Sequence, residues 1–327
     1  MFYEYAITPE VFDPEYLAAD AARGVILIQL LRGLCDNGMI ADLHKGAWGR
    51  KIREKISALS EAQTRADLQT LLSILKDRNR VVRHPKAAQD PKTDLDWLGL
   101  ACEANGRAAL DAIILSCGLH AASARCDDVL SPFDTVLAAP HWQRRRHSIT
   151  IKQCEADYCA LLSPILRHAK RLYLIDPYLR PDLKRFTDTI ILCGKLLGER
   201  GGSPTNALPG IIEIHTSAVC EHRDPLRTVQ EEAKQWNHWI CNELKAACSR
   251  HTVRVSIWAR DEGGERFHDR FLITDQIGFS VAGGLDCVKA PFGTPSDTVW
   301  TVLDEQDRQA WLRKFQPGTS PYRRVCP

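Results

Sequence analysis

Apolar residues in the first part of the chain follow two spacings. Over residues 48–77 they recur at helical spacing, which predicts two helices that meet near Ser60. Residues 94–106 predict a further helix that begins at Asp94 and ends at Gly106. Short apolar runs lie between these segments and predict strands or buried segments at residues 4–7, 25–31, 80–84 and 109–116. This alternation indicates a helix-rich α/β unit.

The alternation of helices and strands becomes more regular after residue 153. Helices are predicted over residues 154–169, 181–198, about 226–248 and 305–315. Strands are predicted over residues 171–179, 211–217, 252–259, 270–274, 278–284 and 299–303. A polar turn joins the strands around residues 275–276, and a loop is expected over 199–210. The pattern predicts an α/β fold in which a mixed β-sheet is flanked by helices.

A basic segment with prolines nearby separates these two regions. It contains Arg144, Arg145, Arg146 and His147. Two interpretations fit such a segment: a solvated connector between domains, or an arm that contacts nucleic-acid phosphates. The predicted organisation is therefore an N-terminal helix-rich α/β domain of unknown role, a basic linker and a second domain, at residues 1–140, 141–152 and 153–327.

Composition changes this picture little. Apolar residues make up 44% and charged residues 26% of the chain, which is typical of a globular protein. The formal net charge of +2 gives no overall attraction to nucleic acid or membranes, so attraction to phosphates must be local. No window approaches the roughly 18 apolar residues of a membrane span. The N-terminal residues lack the basic start and apolar run of a secretory signal, so a cytoplasmic protein is expected.

Cysteine spacing argues against a disulfide framework and against a zinc site. The chain has 12 cysteines but no Cys-x-x-Cys pair. Two loose groups lack the paired spacing of a zinc site. They are Cys241, Cys248 and His251, and Cys117, His120 and Cys126. We expect buried reduced thiols, no metal and no cofactor.

The candidate chemistry lies near the C-terminal end of the chain. His268, Arg270 and Asp275 have the spacing His-x-Arg-x4-Asp, and Gly283-Gly284-x-Asp286 follows. On a strand His268 and Arg270 point to one face, and Asp275 can turn back from the strand end. An imidazole beside a guanidinium suits a phosphate group. The paired glycines leave space for a ligand to approach the backbone.

This segment resembles the His-x-Lys-x4-Asp signature of the phospholipase D superfamily, in which a Gly-Ser-x-Asn element follows. Here the second element is Gly283-Gly284-Leu285-Asp286. The strand at residues 174–179 is also similar to the first strand of several phospholipase-D-like proteins. The resemblance covers roughly residues 165–315 and includes one signature.

The resemblance implies roles for individual residues. His268 would form a phosphohistidine intermediate, Arg270 would bind the phosphate oxygens, and Asp275 would orient a histidine or stabilise its charged form. Family members with one signature form homodimers, so that a second imidazole protonates the leaving oxygen. The activity implied is a metal-independent nuclease, with a role in bacterial defence against foreign nucleic acid by family analogy.

Departures from the family pattern leave an alternative open. Arg270 is a planar fork that is larger than the family's lysine. Asp286 would repel a phosphate unless it is paired, for example with Arg270. A similar His-Asp-Arg and Gly-Gly-Leu-Asp arrangement occurs in the membrane-binding, phospholipase-D-like module of a microtubule-interacting-and-trafficking protein. The alternative function is therefore a catalytically inactive module that binds nucleic acid or phospholipid headgroups.

Two further residues end the strand that begins the second domain's sheet. Asp176 and Tyr178 are placed to face the same site, and Asp176 is predicted to contribute to substrate binding. The competing interpretation is an ordinary Asp-Pro turn with an exposed tyrosine. Trp236 and Trp239 have helical spacing, which favours core or dimer contacts over base stacking.

Overall fold

A computed structural model describes residues 2–123, 128–199, 209–217, 229–244, 248–259, 267–288, 294–316 and 323–326. The chain divides into two compact units, Met1–Arg146 and His147–Pro327. Each unit has its own β-sheet, with five strands in the first and eight in the second.

The first unit is built on a fully parallel sheet. Its strands are β1 (Tyr3–Ile7), β2 (Gly38–Asp42), β3 (Val81–Arg83), β4 (Ala112–Leu115) and β5 (Leu130–Pro132). They pair in the order β3-β2-β1-β4-β5. The inner strands are apolar on both faces because helices cover both sides of a parallel sheet. The strand order reverses between β1 and β4, which makes the sheet doubly wound.

Within the described residues of the first unit, seven α-helices connect or follow these strands. They are α1 (Pro14–Ala18), α2 (Ala21–Asn37), α3 (Leu43–Ser57), α4 (Ala62–Asp77), α5 (Asp94–Arg107), α6 (Cys117–Ala122) and α7 (Pro140–Gln143). The predicted pair of helices that meets near Ser60 is confirmed, because α3 and α4 flank that residue.

Two sequence interpretations in the first unit need correction. Residues 25–31, taken as a strand or buried segment, belong to α2, whose buried residues follow helical spacing at Leu27, Leu30, Leu31 and Leu34. Helix α5 is capped by Thr93 rather than Asp94: the Thr93 side chain accepts from the Asp96 N–H, and the Asp96 carboxylate accepts from the Thr93 N–H.

The second unit contains a mixed sheet. Its strands are β6 (Ser148–Lys152), β7 (Arg171–Ile175), β8 (Ile211–Ser217), β9 (Thr252–Ala259), β10 (Phe271–Thr274), β11 (Gly278–Val281), β12 (Asp297–Val302) and β13 (Arg323–Cys326). They pair in the order β13-β9-β8-β7-β10-β11-β12-β6. Strands β7, β8 and β9 are parallel, and every other pair is antiparallel.

Helices accompany this sheet, as the sequence predicts. They are α8 (Glu155–Leu166), α9 (Lys184–Leu196), α10 (Val229–Trp239) and α11 (Glu305–Lys314). Trp236 and Trp239 are buried and contact each other. The α/β class with a mixed sheet is thus confirmed. Most of the loop expected at 199–210 lies outside the described residues, as do residues 226–228 and 245–247 of the helix expected over about 226–248.

The segment predicted as a basic linker, residues 141–152, contains regular structure. Trp142 is buried in the core of the first unit, and the Arg145 guanidinium lies over its ring. Ser148–Lys152 form strand β6, which pairs with β12. Because basic residues dominate this segment, the sequence shows no clear pattern for α7 or for β6. Among the helices that the structure describes, none is both long enough and apolar enough to cross a membrane.

Candidate functional site

His268 and Arg270 lie on an extended segment that leads into β10. The Arg270 carbonyl accepts a hydrogen bond from the Val281 N–H, so the segment pairs with β11 before β10 begins. On its other side β10 runs antiparallel to β7, with Phe271 opposite Ile175. This register places Arg270 beside the carboxyl end of β7, where Asp176 follows the strand.

Tyr178 brings the histidine and the arginine together. Its hydroxyl lies 3.4 Å from His268 Nδ1, and its ring centroid lies 4.8 Å from the Arg270 guanidinium carbon. The His268 side chain is exposed, whereas only 28% of the Arg270 side chain is exposed. The two residues therefore form a shallow site in which a cation is held behind an accessible imidazole.

A buried carboxylate holds Arg270 in place. Arg270 Nη1 donates to the Ala282 carbonyl at 2.9 Å, and Nε lies 3.7 Å from Asp176 Oδ1. Burial raises the pKa of Asp176 to about 6, although N–H donors from Tyr178 and Leu285 and the charge of Arg270 act in the opposite direction. Asp176 thus serves the site by orienting the guanidinium and the turn that carries Tyr178.

The two glycines have different environments. Gly284 has a positive φ of 95°, and an added Cβ would lie 3.7 Å from Arg270 Nε, so this glycine does face the site. Gly283 does not leave space for a ligand, because an added Cβ would lie 2.8 Å from Thr298 Oγ1. The Gly283 N–H donates to that same hydroxyl.

Asp286 is not paired with Arg270. Its Oδ1 accepts from Gln153 Nε2 at 2.9 Å, and its backbone carbonyl accepts from the Tyr158 hydroxyl at 3.0 Å. Gln153 also donates to the Gly283 carbonyl. The sequence contains no signal for Gln153, because it follows β6 and its partners are far along the chain.

The structure does not bring Asp275 to His268 and Arg270. Asp275 follows the other end of β10, and its carboxylate accepts N–H donors from Lys170 and Arg171 at the start of β7. A four-residue strand separates it from Arg270, and at about 3.3 Å per residue this places it more than 10 Å away. The expectation that Asp275 turns back to the site is therefore wrong, and Asp176 takes the buried carboxylate position.

The loose groups of potential metal ligands are used in other ways. His251 Nδ1 accepts from the Gly210 N–H, and Nε2 lies 2.8 Å from the Gly194 carbonyl, so the backbone occupies both ring nitrogens. Cys248 is buried, Cys241 is exposed, and Cys126 lies outside the described residues.

His268 and Arg270 could hold a phosphate group without a metal, one as a nitrogen nucleophile and the other as a fixed cation.

Comparisons with known proteins do not assign the chain to a family. No family model matches it, and no curated protein is significantly similar to it.

Proposed function

We propose that the second unit is a phospholipase-D-like phosphodiesterase that cleaves nucleic acid without a metal ion, with His268 as its nucleophile. The observation that supports this most is the joint placement of His268 and Arg270 around Tyr178. It pairs an accessible imidazole with a cation whose position is fixed by Asp176. Such pre-positioned charge stabilises a phosphorane-like transition state, because it needs no rearrangement during the reaction.

The mechanism needs the His268 tautomer in which Nδ1 carries the proton, and the Tyr178 oxygen is an acceptor for that proton. When His268 Nδ1–H donates to the tyrosine oxygen, Nε2 keeps its lone pair and can attack phosphorus. The bond from phosphorus to the leaving oxygen breaks, and an acid supplies the proton for that oxygen. Water then attacks phosphorus and gives a proton to the group that earlier protonated the leaving oxygen, the bond from phosphorus to Nε2 breaks, and the phosphate product and the free imidazole are released.

Arg270 would bind the non-bridging oxygens during both steps. Its Nε and Nη1 face Asp176 and the Ala282 carbonyl, and the structure gives Nη2 no hydrogen bond within the described residues. The proton for the leaving oxygen requires a second imidazole. In this proposal it comes from His268 of a second copy, so the active form is a homodimer. A role in bacterial defence rests on family analogy alone.

One observation favours the second candidate function, a phosphate-binding module without catalysis. Arg270 stands where the family has lysine, and a carboxylate with only 1% of its side chain exposed partly neutralises it. A guanidinium held in this way can still bind a phosphate of nucleic acid or of a lipid headgroup. It would stabilise the additional charge of the transition state less well than an unpaired ammonium.

The decisive experiment is cleavage of single- and double-stranded DNA and RNA by the purified chain in EDTA. His268→Ala removes the nucleophile and should abolish cleavage. His238→Ala is the matched control, since His238 is an exposed histidine of the same unit on α10. It should retain full activity.

Trapping the intermediate adds a readout beside product formation. A 32P-labelled substrate quenched in alkali should leave an acid-labile phosphoryl group on the wild-type chain and none on His268→Ala. If both proteins bind nucleic acid equally and neither cuts it, the catalytic proposal is lost and the binding module takes its place.

A further inference from the structure

A second concave site lies in the first unit. It is a cavity of about 470 Å³ at the carboxyl ends of β2 and β3, and its walls come from α3, the segment after β3 and the start of α5. Cavities of this size accommodate small molecules. The cavity lies at the carboxyl edge of the parallel sheet, the edge where ligands bind in α/β folds, although beside β2 and β3 and not at the switch point between β1 and β4.

The charged residues that line the cavity are mostly cations. Four basic side chains are present, together with two acidic ones and the imidazole of His44. The basic ones are Lys45, Arg50, Lys51 and Lys86, and the acidic ones are Glu54 and Asp90. All four basic residues are exposed, so they reach the cavity at no cost in buried charge.

The acid that faces these cations from the segment after β3 is already engaged. Asp90 Oδ1 lies 2.7 Å from His44 Nε2 and 3.6 Å from Lys86 Nζ. These contacts hold the pKa of Asp90 below its usual range. Because Asp90 is already paired, Glu54 is the other acidic residue of the lining that can offset positive charge. Its carboxylate faces three basic residues, Lys45, Arg50 and Lys51.

His44 fixes the shape of the cavity. Its side chain is only 5% exposed. Its Nδ1 accepts from the Ala87 N–H at 3.2 Å, so Nε2 carries the proton that is donated to Asp90. One imidazole thus joins the end of β2 to the wall formed after β3, and the site is built before any ligand arrives.

The backbone at this position is strained. His44 and Lys45 have φ values of 53° and 52°, in the left-handed region that residues with a Cβ avoid, and Gly46 follows at 95°. Two consecutive non-glycine residues in that region are unfavourable, and such strain concentrates at ligand sites. Here it kinks the chain within the first residues of α3, directly after β2, and places Lys45 on the cavity wall.

We infer that this cavity is a binding site for a small anion that carries phosphate groups. The inference stands on the cationic lining, the pre-built wall and the position at the sheet edge. It is independent of the function proposed for His268. Phosphate is favoured over a single carboxylate because the lysines and the arginine can share several oxygens of one ligand.

Calorimetric titration of the full chain tests this at constant ionic strength. Inorganic phosphate, pyrophosphate, tripolyphosphate, AMP and ATP are the probes, so that inorganic and nucleotide sources of the same chemistry are separated. Arg50→Gln and Lys51→Gln should each weaken binding by about tenfold, because each removes charged hydrogen bonds to the ligand. Arg53→Gln is the matched control: Arg53 is exposed on the same helix but does not line the cavity.

Binding that falls in Arg50→Gln and Lys51→Gln but persists in Arg53→Gln and Arg270→Gln supports the site. Binding that falls only in Arg270→Gln belongs to the second unit and overturns the inference, as does the absence of binding for all five probes. Equal weakening in Arg50→Gln and Arg53→Gln also overturns it, because the effect is then one of general charge. Circular dichroism of each variant confirms that it is folded.

Discussion

Asp176 is the residue on which the geometry of the His268 site depends. Its carboxylate accepts the Tyr178 and Leu285 N–H groups and lies beside Arg270 Nε, so it connects the end of β7 to both other parts of the site. Burial of a carboxylate is unfavourable, and these three partners offset the penalty only in part. The pKa of about 6 expresses that balance.

The pH dependence of stability follows from this pKa. Because the folded-state pKa of Asp176 is raised from 3.8 to about 6, the folded chain binds the proton more tightly than the unfolded chain does. The stabilisation that comes from tighter proton binding by Asp176 is fully present below the unfolded-state pKa of 3.8. It is lost as the pH rises through the folded-state pKa of about 6. The loss amounts to about 3 kcal/mol. Asp176→Asn cannot ionise, so its free energy of unfolding relative to wild type should increase by about that amount between roughly pH 4 and pH 7.

Urea unfolding at several pH values measures this difference. Asp269→Asn is the matched control, since Asp269 is an exposed carboxylate of the same unit, between His268 and Arg270. A difference between Asp176→Asn and wild type that stays constant with pH would contradict the raised pKa and, with it, the view that Asp176 orients Arg270 at an energetic cost.

At the scale of elements, α11 is anchored to the sheet by one buried arginine. Arg308 Nη1 donates to the Thr274 carbonyl at 2.7 Å, at the end of β10, and its Nε and Nη2 form a bidentate pair with Glu305. Trp311 of the same helix packs on Phe271 with ring centroids 4.2 Å apart. The helix therefore fixes both ends of β10, the strand that follows His268 and Arg270.

Arg308→Met should destabilise the second unit. Methionine keeps the length and apolar stem but removes the donor to the buried Thr274 carbonyl and the two hydrogen bonds from Arg308 to Glu305, whose carboxylate keeps the donor Gln309 Nε2. We expect a loss of about 2–3 kcal/mol in the free energy of unfolding. Arg313→Met changes an exposed residue of the same helix and should cost less than about 1 kcal/mol. Equal losses in the two variants would contradict an anchoring role for Arg308.

The elements that the sequence predicts are those whose burial leaves a clear pattern. Strands β7 and β8 lie inside the sheet, and their sequences show this through alternate apolar residues that are buried, at Leu172, Leu174, Ile212 and Ile214. Strand β6 escapes prediction because a basic cluster precedes it and three of its five residues are exposed or polar at the edge of the sheet. Residues 25–31 mislead because an apolar run in a helix that packs on a sheet resembles a buried strand.

The site shows the same limit at the level of single side chains. The alternation of a strand correctly groups His268 with Arg270, because that grouping is local. The wrong placement of Asp275 beside Arg270 has a different origin. Which carboxylate meets Arg270 depends on the antiparallel register of β10 on β7, and no spacing within either segment encodes that register.

The whole molecule combines two α/β units, each with one candidate anion site. In the first unit the cations surround a cavity of about 470 Å³, which suits a small ligand. In the second unit His268 is exposed on the surface, which suits a phosphodiester within a long polymer. The near-zero net charge agrees with phosphate attraction that is confined to such local groups.

The proposed homodimer makes a quantitative prediction for mixtures of wild type and His268→Ala. If one copy supplies the nucleophile and the other supplies the acid, a mixed dimer that lacks either imidazole is inactive. After subunit exchange at equal amounts, random pairing leaves wild-type dimers as about one quarter of the total, so activity should fall to about one quarter of the all-wild-type value. Chains that act alone would retain about one half. Nuclease assays after co-refolding distinguish these values, and mixing without exchange provides the control. A result near one half, together with a monomeric mass in sedimentation, would contradict the shared site, and the proton for the leaving oxygen would then have to come from a group within one chain.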